Sequence, residues 1–254
     1  MPTKLARRLR SLAPLPLTVT LGIFGILAGV PAGAAAQPLP YLFVTHGSDR
    51  VARFDPASHS VLQGPASGAA NYGKVAASPD GRRLYIVDVN TRIRVINTAS
   101  LAVVGNVTVP HQPLDVAITP DGASVWVTLA GVQSVAVIDT ATLTVTGTIP
   151  LGMSASGIAF TPDGQRALVT GADARMAVVD VATRTIVGSI PMTAAGNQVA
   201  MHPHGHVAYV SMRFANRVSV IDLDSGTEVT TVSCRTPAWR SRSILGLTRL
   251  RARR

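Results

Sequence analysis

The chain has 254 residues, 47% of them apolar and 14% charged, and it carries a formal net charge of +10. Four of its 23 basic residues lie among residues 1–36 and seven among the last twenty, which leaves twelve against all 13 acidic residues in between. The body of the chain therefore lacks the clustered basic excess that implies nucleic-acid binding. The single cysteine, Cys234, excludes an intrachain disulfide, and the absence of a C-x-x-C-H motif argues against covalently attached haem.

The first 36 residues have the composition of a secretory signal peptide. Basic residues at positions 4–10 precede an apolar run over 15–30 and the small residues Ala34-Ala35-Ala36. The alternative is a membrane anchor, but a spanning helix needs about 20 apolar residues and this run is shorter. Arg7-Arg8 is compatible with twin-arginine export, although Arg10 stands where that signal prefers an apolar residue. We therefore predict cleavage after Ala36, export to the periplasm or the medium, and no transmembrane segment after cleavage.

Beyond this segment, one turn recurs four times at a nearly constant spacing. Proline presets φ at the first turn position, aspartate hydrogen-bonds its own backbone, and glycine supplies the positive φ that closes the turn. The copies are Ser78-Pro79-Asp80-Gly81, Thr119-Pro120-Asp121-Gly122, Thr161-Pro162-Asp163-Gly164 and the altered His202-Pro203-His204-Gly205.

A second landmark, an apolar residue followed by Asp or Asn, ends an apolar run in five copies and keeps the same spacing. Its members are Phe54-Asp55, Ile96-Asn97, Ile138-Asp139, Val179-Asp180 and Ile221-Asp222. A period of about 40 residues built from short alternating apolar runs is typical of a β-propeller with one four-stranded blade per repeat. The predicted fold is therefore all-β, a β-propeller of about five four-stranded blades in residues 37–234.

Each copy is predicted to form the same four strands. In the third copy, the inner strand spans 114–119, the second 125–129, the third 134–139 and the outer 143–149. The second strands carry a large residue at matched positions, and we expect these residues to pack between neighbouring sheets. They are Phe43, Tyr85, Trp126, Leu168 and Tyr209.

The second and third strands of the copies recur as two short motifs. The second strand reads Phe43-Val44-Thr45-His46 in the first copy and Trp126-Val127-Thr128-Leu129 in the third. The third strand ends in Val135-Ala136-Val137-Ile138-Asp139 in the third copy. Both motifs resemble the bacterial YVTN family of β-propeller repeats. The likeness covers residues 41–232. It implies an exported protein, typically of seven blades and without a common activity, and this chain holds fewer blades than that.

Three histidines occupy alternate positions in the altered turn. Imidazole is a common ligand for zinc, copper or nickel, so His202, His204 and His206 are candidate metal ligands. The alternative is a repeat turn with histidine substituted, because Pro203 and Gly205 keep their places in the repeat. A tight turn does not easily direct three side chains at one ion, and a fourth ligand is not apparent. The sequence accordingly predicts no cofactor.

The acidic residues offer little for catalysis. Most aspartates belong to the repeat turns, and the single glutamate, Glu228, falls on a predicted outer strand. Asp115, beside a predicted inner strand, is the one expected to approach the channel mouth, but a lone carboxylate without a positioned partner is a poor catalyst. Neither a G-x-S-x-G elbow nor a phosphate-binding glycine loop occurs. A lactonase-like hydrolase, or an accessory of a periplasmic redox enzyme, is the alternative to a binding protein.

We expect ligands at one face of the ring. In propellers, the loops between blades and those between second and third strands meet around the central channel, and binding residues concentrate in loops on a rigid scaffold. The candidate ligand-binding residues on this face are His111, Gln112, Asp115, Asn197, Gln198, Asn216 and Arg217. The sequence thus favours an exported, non-enzymatic propeller that binds a protein or a small molecule.

Residues 235–254 form an arginine-rich tail outside the repeat pattern. The repeats begin at a second strand, so only this tail could supply the missing inner strand of the first blade, yet Arg240 and Arg242 stand where other copies have apolar residues. Burying them is costly, which predicts an imperfectly closed ring.

The next Val-Ala pair is due near position 241, and a frame one nucleotide forward can encode Pro-His-Gly-Val-Ala-Val-Ala there. A frameshift near Cys234 would explain this, and a natural basic tail that contacts a polyanion is the competing explanation.

Overall fold

The computed structural model describes residues 42–46, 50–55, 58–64, 72–88, 90–212 and 214–234. The predicted signal peptide and the arginine-rich tail lie outside these residues. Nineteen strands form five antiparallel sheets, and these residues contain no helix, hence none that could cross a membrane. The prediction of an all-β propeller of about five blades is confirmed.

Each sheet is one blade, and its strands follow one another along the chain. Blade 1 contains β1 (Leu42–His46), β2 (Arg50–Asp55) and β3 (Ser60–Gln63). Blade 2 contains β4 (Tyr72–Ala77), β5 (Arg83–Asp88), β6 (Arg92–Asn97) and β7 (Val103–Thr108). Blade 3 contains β8 (Pro113–Ile118), β9 (Ser124–Leu129), β10 (Ser134–Asp139) and β11 (Thr144–Pro150). Blade 4 contains β12 (Ala155–Phe160), β13 (Arg166–Gly171), β14 (Arg175–Asp180) and β15 (Thr185–Pro191). Blade 5 contains β16 (Gly196–Met201), β17 (Val207–Met212), β18 (Arg217–Asp222) and β19 (Thr227–Ser233).

The strand boundaries of blade 3 agree with the sequence prediction to within one residue. The inner strands of blades 2 to 5 pack against one another in order, β4 on β8, β8 on β12 and β12 on β16, and β1 lies against β4. No extensive packing joins the described strands of blade 5 to those of blade 1. The described part of the ring is therefore open between its first and last blades.

The repeat turn has the predicted geometry. In blade 2, Gly81 has a φ of 70° and its amide donates to the carbonyl of Ser78, while the amide of Arg82 donates to the Asp80 carboxylate. The turns also stack on one another, because a Cβ placed on Gly122 would lie 3.4 Å from the Pro79 ring of the preceding blade. Each turn thus closes its own hairpin, and the turns of blades 3 to 5 each contact the turn before them.

The core lies between the blades. We call the side of a blade that contacts the next blade its leading face, and the other side its trailing face. On the leading face of blade 3, Trp126 is 1% exposed and meets Phe160 of blade 4 edge to face, with ring centroids 5.2 Å apart. Burying such side chains stabilises the fold by roughly 1.5–3 kcal/mol each, so the ring depends on these interfaces.

The large residues of the second strands are buried as predicted in blades 1 to 4. Phe43, Tyr85, Trp126 and Leu168 are all less than 9% exposed. The prediction is wrong for Tyr209, which is 36% exposed. Tyr209 lies on the leading face of blade 5, and no further blade among the described residues covers that face.

Hydroxyl groups of the second strands tie successive blades together. Thr128 Oγ1 donates to the carbonyl of Ser156 at 3.1 Å, and Thr170 Oγ1 donates to the carbonyl of Asn197 at 3.1 Å. Thr45 makes the matching bond to Gly73 at 3.3 Å. Each bond satisfies a carbonyl of the next inner strand, which would be costly to leave unpaired.

Gly157 allows blades 4 and 5 to approach closely. A Cβ at this position would collide with the backbone carbonyl of Asn197 and lie 2.9 Å from Cα of Gln198. We expect Gly157→Ala to lower the free energy of unfolding by about 1–3 kcal/mol, because backbone cannot move aside as a flexible side chain can. Urea denaturation measures this effect.

Gly147→Ala is the matched control, since a Cβ there would meet only the Arg184 guanidinium, at 3.8 Å. It should change the stability by less than about 1 kcal/mol. Equal effects of the two substitutions would show that the approach of blades 4 and 5 is looser than described.

Candidate binding site at the central channel

One position recurs on the inner strands of blades 2 to 5, directly before the Val-Ala or Ile-Ala pair. Its occupants, one from each blade, are Lys74, Asp115, Gly157 and Gln198. Groups from non-neighbouring blades can meet only near the axis of a propeller. Because Asp115 and Gln198 belong to blades 3 and 5 and are in contact, we assign this position to the central channel.

Asp115 is the hub of this site. Its Oδ1 accepts a hydrogen bond from the amide of Val116 at 2.9 Å. Its Oδ2 accepts bonds from the amide of Ile158 at 3.2 Å and from Nε2 of Gln198 at 3.0 Å. The side chain is only 3% exposed. One carboxylate therefore joins blades 3, 4 and 5, and its burial is tolerated because donors satisfy both oxygens.

Burial moves the pKa values of Asp115 and Lys74 toward neutral pH. Loss of hydration raises the pKa of Asp115 to about 6, although the charge of Lys74 and the three donated hydrogen bonds act in the opposite direction. Loss of hydration likewise lowers the pKa of Lys74 to about 8, against the attraction of Asp115. Strongly shifted pKa values of this kind cluster at functional sites.

Gly157 is the reason that the site can span three blades. It stands at the repeat position between Asp115 and Gln198, and it is the one member of the four without a side chain. Since a Cβ there would already press on the backbone of Asn197 and Gln198, any larger residue would separate blade 5 from the hub. The missing side chain lets the backbone of blade 5 come close enough for Gln198 to reach Asp115.

The structure brings two of the seven predicted ligand-binding residues together. Asp115 and Gln198 form the contact described above. His111 and Gln112 precede β8, Asn197 lies in β16 and Arg217 begins β18, and all four are exposed. Asn216 is half-buried with a φ of 49°, and its carbonyl accepts the amide of Cys234.

Sequence reasoning did not single out Lys74. The signal is present in the sequence, because Lys74-Val75-Ala76 aligns with Asp115-Val116-Ala117 and with Gln198-Val199-Ala200 in the repeat. A comparison of what each blade places at this position would have found it. Three of the four occupants are polar or charged, which is the pattern that marks a shared site.

Two of the three candidate metal ligands are neighbours, and the third pairs with an aspartate. His202 and His204 have ring centroids 4.9 Å apart, and the amide of His204 donates to Nδ1 of His202. His206 Nδ1 instead donates to the Asp224 carboxylate at 2.9 Å. Burial and the neighbouring His204 lower the pKa of His202. Among the residues that the structure describes, no group of three or more His, Cys, Asp or Glu side chains could hold a metal ion.

The backbone of this segment is that of a repeat turn. The amide of His202 donates to the carbonyl of Val207, and the amide of Gly205 donates to the carbonyl of His202. Ser78 and Gly81 make the same two bonds in blade 2. The geometry therefore fits a substituted turn, and the metal site stays a prediction.

A buried ion pair lies on the trailing face of blade 2. Arg94 Nε donates to Asp88 Oδ2 at 3.0 Å, and the two side chains are 8% and 0% exposed. The residues at the matching positions of the later blades are Leu129 and Ala136, Gly171 and Ala177, and Met212 and Ser219. Since uncharged residues fill this place in the other interfaces, we assign the pair to the packing of blade 2.

Comparisons with known proteins establish the fold alone. No family model and no curated protein sequence matches the chain. The chain is similar to the crystal structure of the Cps50 (Swd1) β-propeller domain of Myceliophteria thermophila, with a TM-score of 0.65 and 14% identity over 72% of this chain and 61% of that one. It is also similar to the hydrazine synthase of Kuenenia stuttgartiensis, with a TM-score of 0.60 and 16% identity over 84% of this chain and 81% of that one. The chain thus spans about three fifths of the length of the first of these neighbours.

The raised pKa of Asp115 predicts a pH-dependent stability. Its value of about 6 in the folded protein exceeds its ordinary value of 3.8, so the folded state binds the extra proton between these pH values. The stability that Asp115 contributes is therefore present below pH 4 and lost as the pH rises through 6. The free energy of unfolding of Asp115→Asn, measured relative to wild type, should rise by on the order of 2 kcal/mol from pH 4 to pH 7.

Urea denaturation at several pH values between 4 and 7 checks this difference. Asp121→Asn is the control, because a hydrogen bond from Thr119 lowers the pKa of Asp121. Its difference from wild type should stay flat across the same range. Parallel stability curves for Asp115→Asn and wild type would contradict the assigned pKa of Asp115.

Proposed function

We propose that this chain is an exported, non-enzymatic propeller that binds a small polar molecule or a protein segment on the loop face around its channel. The observation that carries the proposal is the convergence of Lys74, Asp115 and Gln198 from three blades at one repeat position. A polar cluster with shifted pKa values in the central opening of a propeller is a binding-site candidate on general grounds.

The chemistry of the cluster limits the ligand. The Lys74 ammonium group and the Gln198 amide are donors, which suit a ligand with a carboxylate or carbonyl oxygen. Asp115 is buried and, by accepting a hydrogen bond from Gln198, would orient that amide toward the ligand. His111 precedes the inner strand β8 and Asn197 lies in the inner strand β16, and their exposed side chains would contact the outer part of a bound molecule.

A lactonase-like hydrolase is the second candidate function. The pKa values of about 6 for Asp115 and about 8 for Lys74 favour it, because groups that titrate near neutral pH can transfer protons in a reaction. The likeness to hydrazine synthase is a likeness of fold, and a role beside a redox enzyme therefore draws no support from it. Metal analysis of the purified mature protein and assay of lactone hydrolysis distinguish an enzyme from a binding protein.

The remaining assignments concern the ends of the chain and its family. We propose that residues 1–36 are a signal peptide, that residues 37–234 are YVTN-type repeats, and that the tail 235–254 arises from a frameshift near Cys234. Support comes from the recurring second and third strands and from the register at which the shifted frame restores an inner strand. A periplasmic or extracellular location follows from the signal peptide.

Binding is tested by capture with the mature protein as bait in a periplasmic extract of the source bacterium. Bound proteins and small molecules are identified by mass spectrometry. Lys74→Ala should reduce the recovered ligand at least tenfold, because it removes the charged donor of the cluster. Arg184→Ala, which removes a positive charge from an exposed position at the edge of blade 4, should leave recovery unchanged.

If Lys74→Ala and wild type recover the same molecules in equal amounts, the channel site is not the binding site. If wild type instead holds a stoichiometric divalent metal and hydrolyses a lactone, the hydrolase replaces the binding propeller as the function.

Export is tested by N-terminal sequencing of the protein from periplasm and culture medium. The first residue should be Gln37 or lie within a few residues of it, because the small residues at 34–36 form the cleavage site. Ala36→Asp should slow cleavage and serves as the control for peptidase processing. A protein that retains Met1 and stays in the cytoplasm would overturn the proposal of export.

A further inference from the structure

The leading face of blade 5 is uncovered at positions that are buried in every earlier four-stranded blade. Val107, Ile149 and Ile190 on the outer strands are 3%, 2% and 5% exposed, whereas Val232 at the matching position is 57% exposed. On the second strands, Tyr85, Trp126 and Leu168 are at most 1% exposed, whereas Tyr209 is 36% exposed. Blade 5 therefore has the apolar pattern of an interface without the partner that covers it elsewhere.

Blade 5 also has the hydroxyl group and the turn proline that, in earlier blades, contact the next blade. Ser211 stands at the position of Thr128 and Thr170, whose hydroxyl groups donate to a carbonyl of the next inner strand. Pro203 stands at the position of Pro162, whose ring lies 3.3 Å from the place of a Cβ on Gly205 in the following blade. Pro162 is half-buried and Pro203 is exposed.

The other end of the described ring is also uncovered. On the trailing face of blade 1, Phe54 is half-buried, whereas its counterparts Ile96, Ile138, Val179 and Ile221 are at most 1% exposed. Val61, opposite Phe54 in the sheet, is 58% exposed. One uncovered face is the leading face of blade 5 and the other is the trailing face of blade 1, so each is suited to contact a further blade.

We propose that the leading face of blade 5 is the docking face for a sixth blade of the same repeat, carried by the same polypeptide beyond Cys234. The occupant must present an inner strand to Ser211 and the glycine of a repeat turn to Pro203. Blade 1, whether of the same or of a second molecule, offers neither among its described residues. The inference rests on the proposed frameshift only for the source of the blade, and it is independent of ligand binding at the channel.

The shifted reading frame supplies the inner strand that this face requires. The text Pro-His-Gly-Val-Ala-Val-Ala places an alternating apolar run near position 241, where the repeat demands its next Val-Ala pair, and its glycine falls at the repeat position of Gly157. The glycine of the repeat turn follows that pair in each copy, as Gly122 follows Val116-Ala117, and therefore lies beyond this text. Its Gly-Val-Ala segment aligns with Gly157-Ile158-Ala159 of β12. The next blade would then cover Tyr209 and Val232 as blade 4 covers Trp126 and Ile149.

The test compares two proteins after the gene has been resequenced from its source. One is the 254-residue chain, and the other is the chain continued in the frame one nucleotide forward. Val232→Lys is introduced into each, and Val187→Lys is the matched control, because Val187 on β15 is also 57% exposed. Thermal unfolding measures the Tm, and sedimentation measures the mass in solution.

We expect neither substitution to move the Tm of the shorter chain by more than about 2 °C, because both side chains are exposed there. In the continued chain, Val232→Lys should lower the Tm by about 5 °C or more, or prevent folding, while Val187→Lys has no effect. An unfolded Val232→Lys variant beside a folded control still supports the proposal.

Three results would overturn the proposal of a sixth blade. The first is a downstream frame without a further repeat at this spacing. The second is a continued chain that Val232→Lys leaves as stable as its control. The third is a dimer of the shorter chain that Val232→Lys converts to a monomer, which would assign the face to a second copy. Loss of ligand capture without any of these results would remove the proposed function and leave the docking face intact.

Discussion

The burial of each sheet against the next is the interaction on which the rest of this structure depends. A four-stranded sheet of this size cannot bury its apolar residues alone, and here both faces of blades 2 to 4 are covered by neighbouring blades. The contact between Trp126 and Phe160 shows how one blade supplies the cover that another requires. The free energy of unfolding of such a fold is close to a sum of terms from each repeat and each pair of neighbouring repeats. An uncovered face therefore removes the stabilisation of one interface.

The same stacking creates the polar cluster at the axis. Inner strands that pack side by side present the same repeat position to the channel, and there a residue meets groups from blades that are distant in sequence. Asp115 can be buried because Ile158 and Gln198 donate to it from two other blades. Its pKa of about 6 is the electrostatic consequence of that burial. A site of this kind needs correctly packed blades on both sides of Asp115.

Residues that depart from the repeat are explained by comparing them with the residues at the same position in the other copies. Glycine at position 157 is explained by the approach of blade 5, and histidine at positions 202 and 204 is accommodated because the turn backbone is retained. Glu228 is the single glutamate of the chain, and it accepts bonds from Ser219 and from the amide of Thr193 at the junction of blades 4 and 5. It therefore acts as a hydrogen-bond acceptor that joins blades 4 and 5 on the outer part of the ring.

The sequence by itself determined the repeat, the blade and the strands. Turn chemistry and strand alternation are local properties, so Ser78-Pro79-Asp80-Gly81 and its copies were sufficient to place the strands of blade 3 to within one residue. Asp115 and Gln198 were each recognisable as candidates, but their contact across three blades was not. Only the tertiary structure decided that contact, the participation of Lys74 and the exposure of Tyr209. These depend on how far successive blades rotate around the axis and on which blade comes last, and neither quantity is encoded in the pattern of a single repeat.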